Sequence, residues 1–373
     1  MTTGESAPEL PERQRWGFWG WWATGLAVAT GPLAFGLTQA VRPSWVEAHY
    51  ALGIGQPLAG LLGRATGLAP FSVVEMLIYV VIGGLFVGIV AAMRTEAGRA
   101  RRALLPRWGL RGLVALSCLY AVFVLVWGLD YRRQPIIGRF GFHKGPPTHE
   151  EIAGLAIAQV DAVNAARVLA HEDADGVATF ATSEADAFDH VAADYDRAAA
   201  RWPFLGGRYC HAKPVQLSLI LSYAGVGGVY SPFTGEPNVN VGQPAFDIPF
   251  SIAHETAHQR GIAREDEANF VAWILLRDFG DPDERYSALL EGAYYAIHAY
   301  GQLDRPAARG LWDSMSPGVQ RDIAAEDRWR ARYTTPLAEW SADLNSAYLK
   351  SNGVKDGVES YGRMVDLMVA ERR

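Results

Sequence analysis

The sequence predicts a mainly α chain in two parts, three long apolar helices followed by a mixed α+β region with a small sheet. Three observations predict it. Half of the 373 residues are hydrophobic, and they are concentrated in the first third. Three stretches there are long enough to cross an apolar layer of about 30 Å as helices. Beyond them the pattern is that of amphipathic helices, interrupted between Val215 and Val241 by alternation and glycine. The expected divisions are an N-terminal tail over 1–15, a three-helix transmembrane region over 16–130, a linker over 131–147 and an outer domain over 148–373.

The three spans are Trp16–Val41, Phe71–Met93 and Trp108–Leu129. The first is too long for a removable signal peptide and lacks a small-residue cleavage site, so it reads as an anchor, with a kink at Pro32. Orientation follows from basic residues in short loops. Arg94, Arg99, Arg101, Arg102 and Arg107 join spans two and three, against Arg42 and Arg64 between spans one and two. This predicts a multi-pass protein of the cytoplasmic membrane, with its N-terminus inside and everything after Leu129 outside. Arg13 and Arg15 agree; Arg132 and Arg133 oppose. Trp16, Trp19, Trp21, Trp22, Trp127 and Tyr131 read as interfacial belts, and Glu75 as a carboxylate hydrated at headgroup level. Cys118 and Cys210 do not make a disulfide scaffold, and Cys210 beside His211 is a poor chelating pair.

Gln134–Pro147, rich in Gly, Pro and basic residues, reads as linker. Thr148 with Glu151 forms a capping-box pattern that opens a helix with Ile152, Leu155, Ala156, Val160 and Val163 on one face. A second helix is expected over Glu184–Trp202. Val215, Leu217, Leu219 and Leu221 alternate as a strand would, and Gly225, Gly227 and Gly228 then break the run. No phosphate-binding Lys or dinucleotide fingerprint follows. Beyond Trp273 helices are expected, broken at Gly280–Pro282, Asp304–Pro306 and Ser316–Gly318.

Between these parts stands Ser251–Trp273, which holds His254, Glu255 and His258 in the order H-E-x-x-H. On a helix, residues four apart lie nearly one above the other, so both imidazoles can aim at one ion with Glu255 beside them. Asp247 fits as N-cap, Pro249 in the first turn, and Gly261 as a left-handed stop. A catalytic zinc needs a third protein ligand. If the next helix starts near Ala263, Glu267 shares the face of Phe270, Val271, Ile274 and Leu275, while Glu265 and Asp266 point to the sides. A carboxylate that continues an apolar stripe is costly to bury unless bound, which favours Glu267. All three acids also suit a helix's first turn through the macrodipole. Val239–Val241 offers an exposed strand edge for an extended substrate, with Glu236, Asn238 and Asn240 near the cleft. Tyr294, Tyr295, His298, Tyr348 and Tyr361 are candidate oxyanion donors.

The run H-E-T-A-H-Q-R-G-I-A-R-E-D-E-A-N-F, preceded by Y-S-P-F-T-G-E-P-N-V-N and followed by Y-L-K-S-N-G, resembles the bacterial membrane-protein family named domain of unknown function 3810. The resemblance covers most of the chain. It implies a zincin-like domain behind N-terminal membrane spans, and it brings no substrate and no assigned catalytic residues. The E-A-N ending is similar to the glutamate-ligand segment of gluzincin-type zinc peptidases, which implies Glu267 as ligand. The gap from His258 to Glu267 is shorter than in gluzincins, and Arg264 stands where a metzincin has its third histidine.

The expected function is that of a membrane-anchored zinc (Zn2+) metallopeptidase, which hydrolyses peptide bonds outside the cytoplasmic membrane. His254, His258 and Glu267 would hold the metal, and Glu255 would be the general base. Its partners would be a peptide or protein substrate, or cell-wall peptide, and the lipid bilayer. No basic aromatic groove suits nucleic acid. Two alternatives stand beside it: a tethered binding or sensory module with a structural zinc, and an amidohydrolase acting on cell-wall peptide. The net charge of -6 sums regions on both sides of the membrane and decides nothing.

Overall fold

Helices carry most of the chain, and the strands are short. The computed structural model describes residues 18–94, 98–143, 145–352, 354 and 363–373. Arg13, Arg15, Trp16, Tyr361 and the 1–15 tail lie outside the described residues.

The described residues fall into two units, one of those up to Ala40 with Val87–Leu125 and one of Val41–Phe86 with Val126–Arg373. The first holds α1 (Phe18–Gln39) and nearly all of α5 (Gly98–Val126). Here Gly31 permits close approach: a Cβ on it would lie 2.8 Å from the Ser117 carbonyl oxygen. Its N–H donates to Ser117 Oγ at 3.0 Å, and that hydroxyl donates to the Val28 carbonyl at 2.6 Å.

Two described helices are long and apolar enough to cross a membrane, not three. They contain the windows Val73–Ala91 and Trp108–Val126, with mean hydropathy 2.5 and 2.1, and only 6% and 11% of these windows is buried. Core helices would be covered; these are not. The third expected span, α1, has the length, but its Trp, Gly, Thr and Pro32 dilute its apolar content.

The second unit begins with the segment expected to be a loop between spans. After α2 (Pro43–Trp45), Val46–Gly55 winds as a π-helix and continues as α3 (Gln56–Thr66). Then comes α4 (Val73–Arg94), which starts in this unit. Residues before α4 therefore belong to the same unit as those after α5. Arg133, in the expected linker, pairs with Glu47 at 2.7 Å and donates to the Gly261 carbonyl at 2.8 Å.

Beyond α5 follow α6 (Ile137–Phe140), α7 (His149–Arg167), the hairpin of β1 (His171–Glu172) and β2 (Ala178–Thr179), and α8 (Glu184–Ala199). The expected capping box opens α7, and a second one, between Ser183 and Asp186, opens α8. Next are β3 (Lys213–Pro214), α9 (Ser218–Tyr223), β4 (Gly228–Ser231) and β5 (Glu236–Val239). The strand expected at Val215–Leu221 is thus mostly helix. The Glu75 carboxylate accepts the N–H groups of Gln216 and Leu217, at 3.0 and 2.7 Å, and so caps α9 from α4. Glu75 is buried rather than hydrated. The sheet order is β3-β5-β4, with β3 parallel and β4 antiparallel to β5.

Helices complete the unit: α10 (Ile248–Gln259), α11 (Glu265–Phe279), α12 (Pro282–Gly301), α13 (Arg305–Asp313), α14 (Pro317–Tyr333), α15 (Pro336–Ser351) and α16 (Met364–Arg372). The three expected breaks fall between them. The main core packs Ile252 and Ala257 of α10 and Phe270, Trp273 and Ile274 of α11 against Tyr195 of α8 and Met368 of α16. Most of α10 is buried.

Candidate metal centre

α10 carries Pro249 in its first turn and stops at Gly261, whose φ of +74° suits a residue without Cβ. Asp247 occupies the N-cap position, but its side chain makes no capping bond. The turn at Gly261 sends the chain back, and α11 starts at Glu265 rather than near Ala263.

Glu265 Oε2 lies 3.1 Å from His254 Nε2 and 3.4 Å from His258 Nε2. Glu267 faces elsewhere: its Oε1 accepts the Ile136 N–H at 2.9 Å and lies 3.7 Å from Arg264. The expectation that Glu267 joins the histidines is therefore corrected to Glu265. Burial pushes the Glu267 carboxyl up to about 7, with Arg264 offsetting part of the shift. Asp266 is not in the converging group either; among the described residues it consists of His254, His258 and Glu265, with donor atoms within 4.8 Å of one another.

The two rings stand edge to face, 4.6 Å apart. His258 Nδ1 is 2.7 Å from the Ile262 carbonyl, which can only accept, so Nδ1 carries the proton and Nε2 is aimed at Glu265. Burial alone would depress the His258 imidazole; the charge and hydrogen bond of Glu265 outweigh it and raise it to about 9. Burial would likewise raise Glu265, but His258 and His254 hold it well below the usual carboxylate range. Positive charge is what this pocket favours.

Glu255 sits beside them, 5% exposed, and its Oε2 has no hydrogen-bond partner among the described residues. Burial raises its pKa, partly offset by the two histidines. β4 runs directly past it: a Cβ on Gly228 would lie 2.5 Å from Glu255 Cγ and 2.7 Å from Oε1. Only glycine fits there.

The sheet edge beside the site is β4, not Val239–Val241. β5 is central, and the polar residues expected near the cleft are structural. Glu236 accepts the N–H groups of Val73 and Val74, Asn238 accepts from Ser72, and Asn240 donates to Ser222 and to the Val226 carbonyl. Trp127 was read as a membrane-interface residue. It is buried instead, its ring 5.6 Å from His258 and 5.0 Å from Tyr230, with Tyr131 edge-on at 6.3 Å. The chain leaves α5 at Val126, and Trp127 itself has a non-helical backbone. Among the tyrosines, Tyr295 accepts from Asn269, Tyr294 packs on Trp312 and Tyr348 stands edge-on to Tyr131. His298 contacts Gln302.

Residues 50–369 match the family described as "Protein of unknown function (DUF3810)". The chain belongs to this family. No curated protein and no solved structure matches it. The DUF3810 match begins inside the π-helix and so takes in both parts of the second unit, the residues ahead of α4 and those after α5.

Proposed function

We propose that this DUF3810 protein is a membrane-anchored zinc metallopeptidase whose metal is held by His254, His258 and Glu265. The observation that carries the reading is the convergence of two imidazole nitrogens on one carboxylate oxygen, with the unpartnered Glu255 oxygen beside them. Ligand atoms about 2.0–2.1 Å from a tetrahedral zinc are separated by about 3.3 Å. The 3.1 and 3.4 Å separations fit that spacing. The Ile262 carbonyl supplies the outer partner that metal-binding imidazoles usually have. The residues therefore suit the ion, and among the described residues no fourth donor closes the site, as a purely structural zinc would require.

When bound, zinc polarises a carbonyl and makes water acidic near neutrality. The protein's part is then clear. Glu255 takes a proton from the attacking water as its oxygen bonds to the carbonyl carbon, and delivers that proton to the amine as the C–N bond breaks. Its raised pKa suits both roles. An extended substrate is held by pairing with β4, the sheet edge beside Glu255. The arginine-rich connection between α4 and α5 favours placing the site on the outer side of the cytoplasmic membrane.

The test is zinc content of the full chain in detergent. Wild type, Glu255→Gln and Glu267→Ala should each hold about one zinc per chain, and Glu265→Ala should lose it. Peptide hydrolysis by Glu255→Gln should fall by roughly 10²–10⁴-fold. A folded wild type that takes up no zinc from zinc-replete buffer would refute the reading.

A further inference from the structure

The second unit presents an apolar strip that its own core does not use. It begins at α4. Glu75, in the first turn of that helix, seats α9 through Gln216 and Leu217, and the next residues, Leu219 and Ile220, stand exposed. From α9 the chain passes into β4, with the Val226 N–H bonded to the Leu221 carbonyl at 2.9 Å; there Gly228 abuts Glu255 and Val229 is exposed. α15 starts beside α9, where the Thr335 hydroxyl donates to the Tyr223 carbonyl at 3.3 Å. It ends near the metal centre, with Tyr348 against Tyr131 at 5.7 Å and Tyr131 against Trp127, which faces His258. Sixteen residues of helix reach about 24 Å, so α15 leads from α9 towards the aromatic rings beside the metal centre. Leu337, Trp340 and Leu344, three and four residues apart, form one exposed stripe along it, and Trp340 is 62% exposed.

Exposed apolar surface of this kind marks an interaction site. Two features identify its occupant. One is the edge strand, which takes an extended chain by backbone pairing. The other is continuity with α4, whose apolar window opens at Val73, the residue held by Glu236 of β5, the strand next to β4. We propose that the substrate is a polypeptide with its own membrane span, whose flanking segment leaves the bilayer along α4 and α9. That segment pairs with β4 and lays its apolar side chains on Leu337, Trp340 and Leu344 as a peptide bond reaches Glu255. The cut thus falls next to the membrane. This inference rests on the zinc peptidase reading and names the substrate class of the same site.

The experiment maps new protein N-termini in membranes of cells that express the full chain or Glu255→Gln. Termini that depend on Glu255 should lie within about ten residues of the outer end of a membrane span, about 33 Å of extended chain. The paired change Trp340→Glu with Leu344→Glu should retain zinc yet slow these cuts by roughly tenfold or more. Glu255-dependent cuts spread equally over soluble secreted proteins would overturn the substrate class while leaving the peptidase standing. Unchanged cutting by the paired variant would also overturn it, leaving a strip that only touches lipid. Absence of any Glu255-dependent terminus from zinc-loaded protein would instead remove the peptidase reading, and this inference with it.

Discussion

His254 and His258 were legible because their relation is local: four residues apart on a helix, they face one way whatever packs around them. The third acid was not, because it depends on how α11 packs against α10 beyond the turn at Gly261, which brings Glu265 rather than Glu267 to the histidines. The burial argument for Glu267 was sound about cost but not about partner, since Arg264 and the Ile136 N–H, 131 residues away in sequence, face its carboxylate instead of the histidines. A second buried acid offers a test at this scale. Burial pushes Asp130 up to about 7, against Arg133, with Glu47 adding to the rise. A carboxyl raised from about 3.9 in the unfolded chain stabilises the fold most below that value, and the contribution is lost as pH rises through the folded pKa. Asp130→Asn should therefore gain stability relative to wild type between pH 5 and pH 8, measured by denaturant unfolding in detergent. A difference that shrinks with pH would contradict the assignment.

Elements whose ends are capped from nearby were read correctly, as the boxes at Thr148 and Ser183 show by opening α7 and α8. Elements capped from afar were not. The alternation from Val215 to Leu221 suits a strand, yet α9 starts at Ser218, and Glu75, more than 140 residues earlier, accepts the two N–H groups just ahead of it. The same logic operates at the start of α4, where Glu236 faces the helix N-terminus, a position that favours negative charge. Lys213 neutralises it at 2.7 Å and also donates to the carbonyls of Thr66 and Phe71. Both side chains are buried. Lys213→Met leaves Glu236 alone and should cost about 3–5 kcal/mol in unfolding experiments, with part restored by adding Glu236→Gln. Equal losses in the single and double variants would show that the pair does not act as one.

For the whole molecule, hydropathy located the two bare helices but not the partnership of the segments at their ends. Val41–Phe86 looked like membrane region and loop because its contacts are with residues far along the chain. Gln56 donates to the Arg260 carbonyl at 2.8 Å, and Cβ atoms on Gly60 and Gly63 would each come within 3.2 Å of the Arg208–Cys210 backbone. A chain that starts at Gln134 should thus fail to hold zinc, which the full chain should retain. A stable, zinc-loaded Gln134–Arg373 fragment would refute that partnership.

The long reach of these contacts also sets a schedule for biogenesis. Lys213 follows its acceptor Thr66 by 147 residues, an interval of about 7–30 s at ordinary rates of synthesis. Throughout it, α3 and the start of α4 wait without the sheet that will cap them. A cell that makes this protein must shelter that half-finished surface, and slowing translation downstream of α5 should burden its quality control more than slowing it upstream.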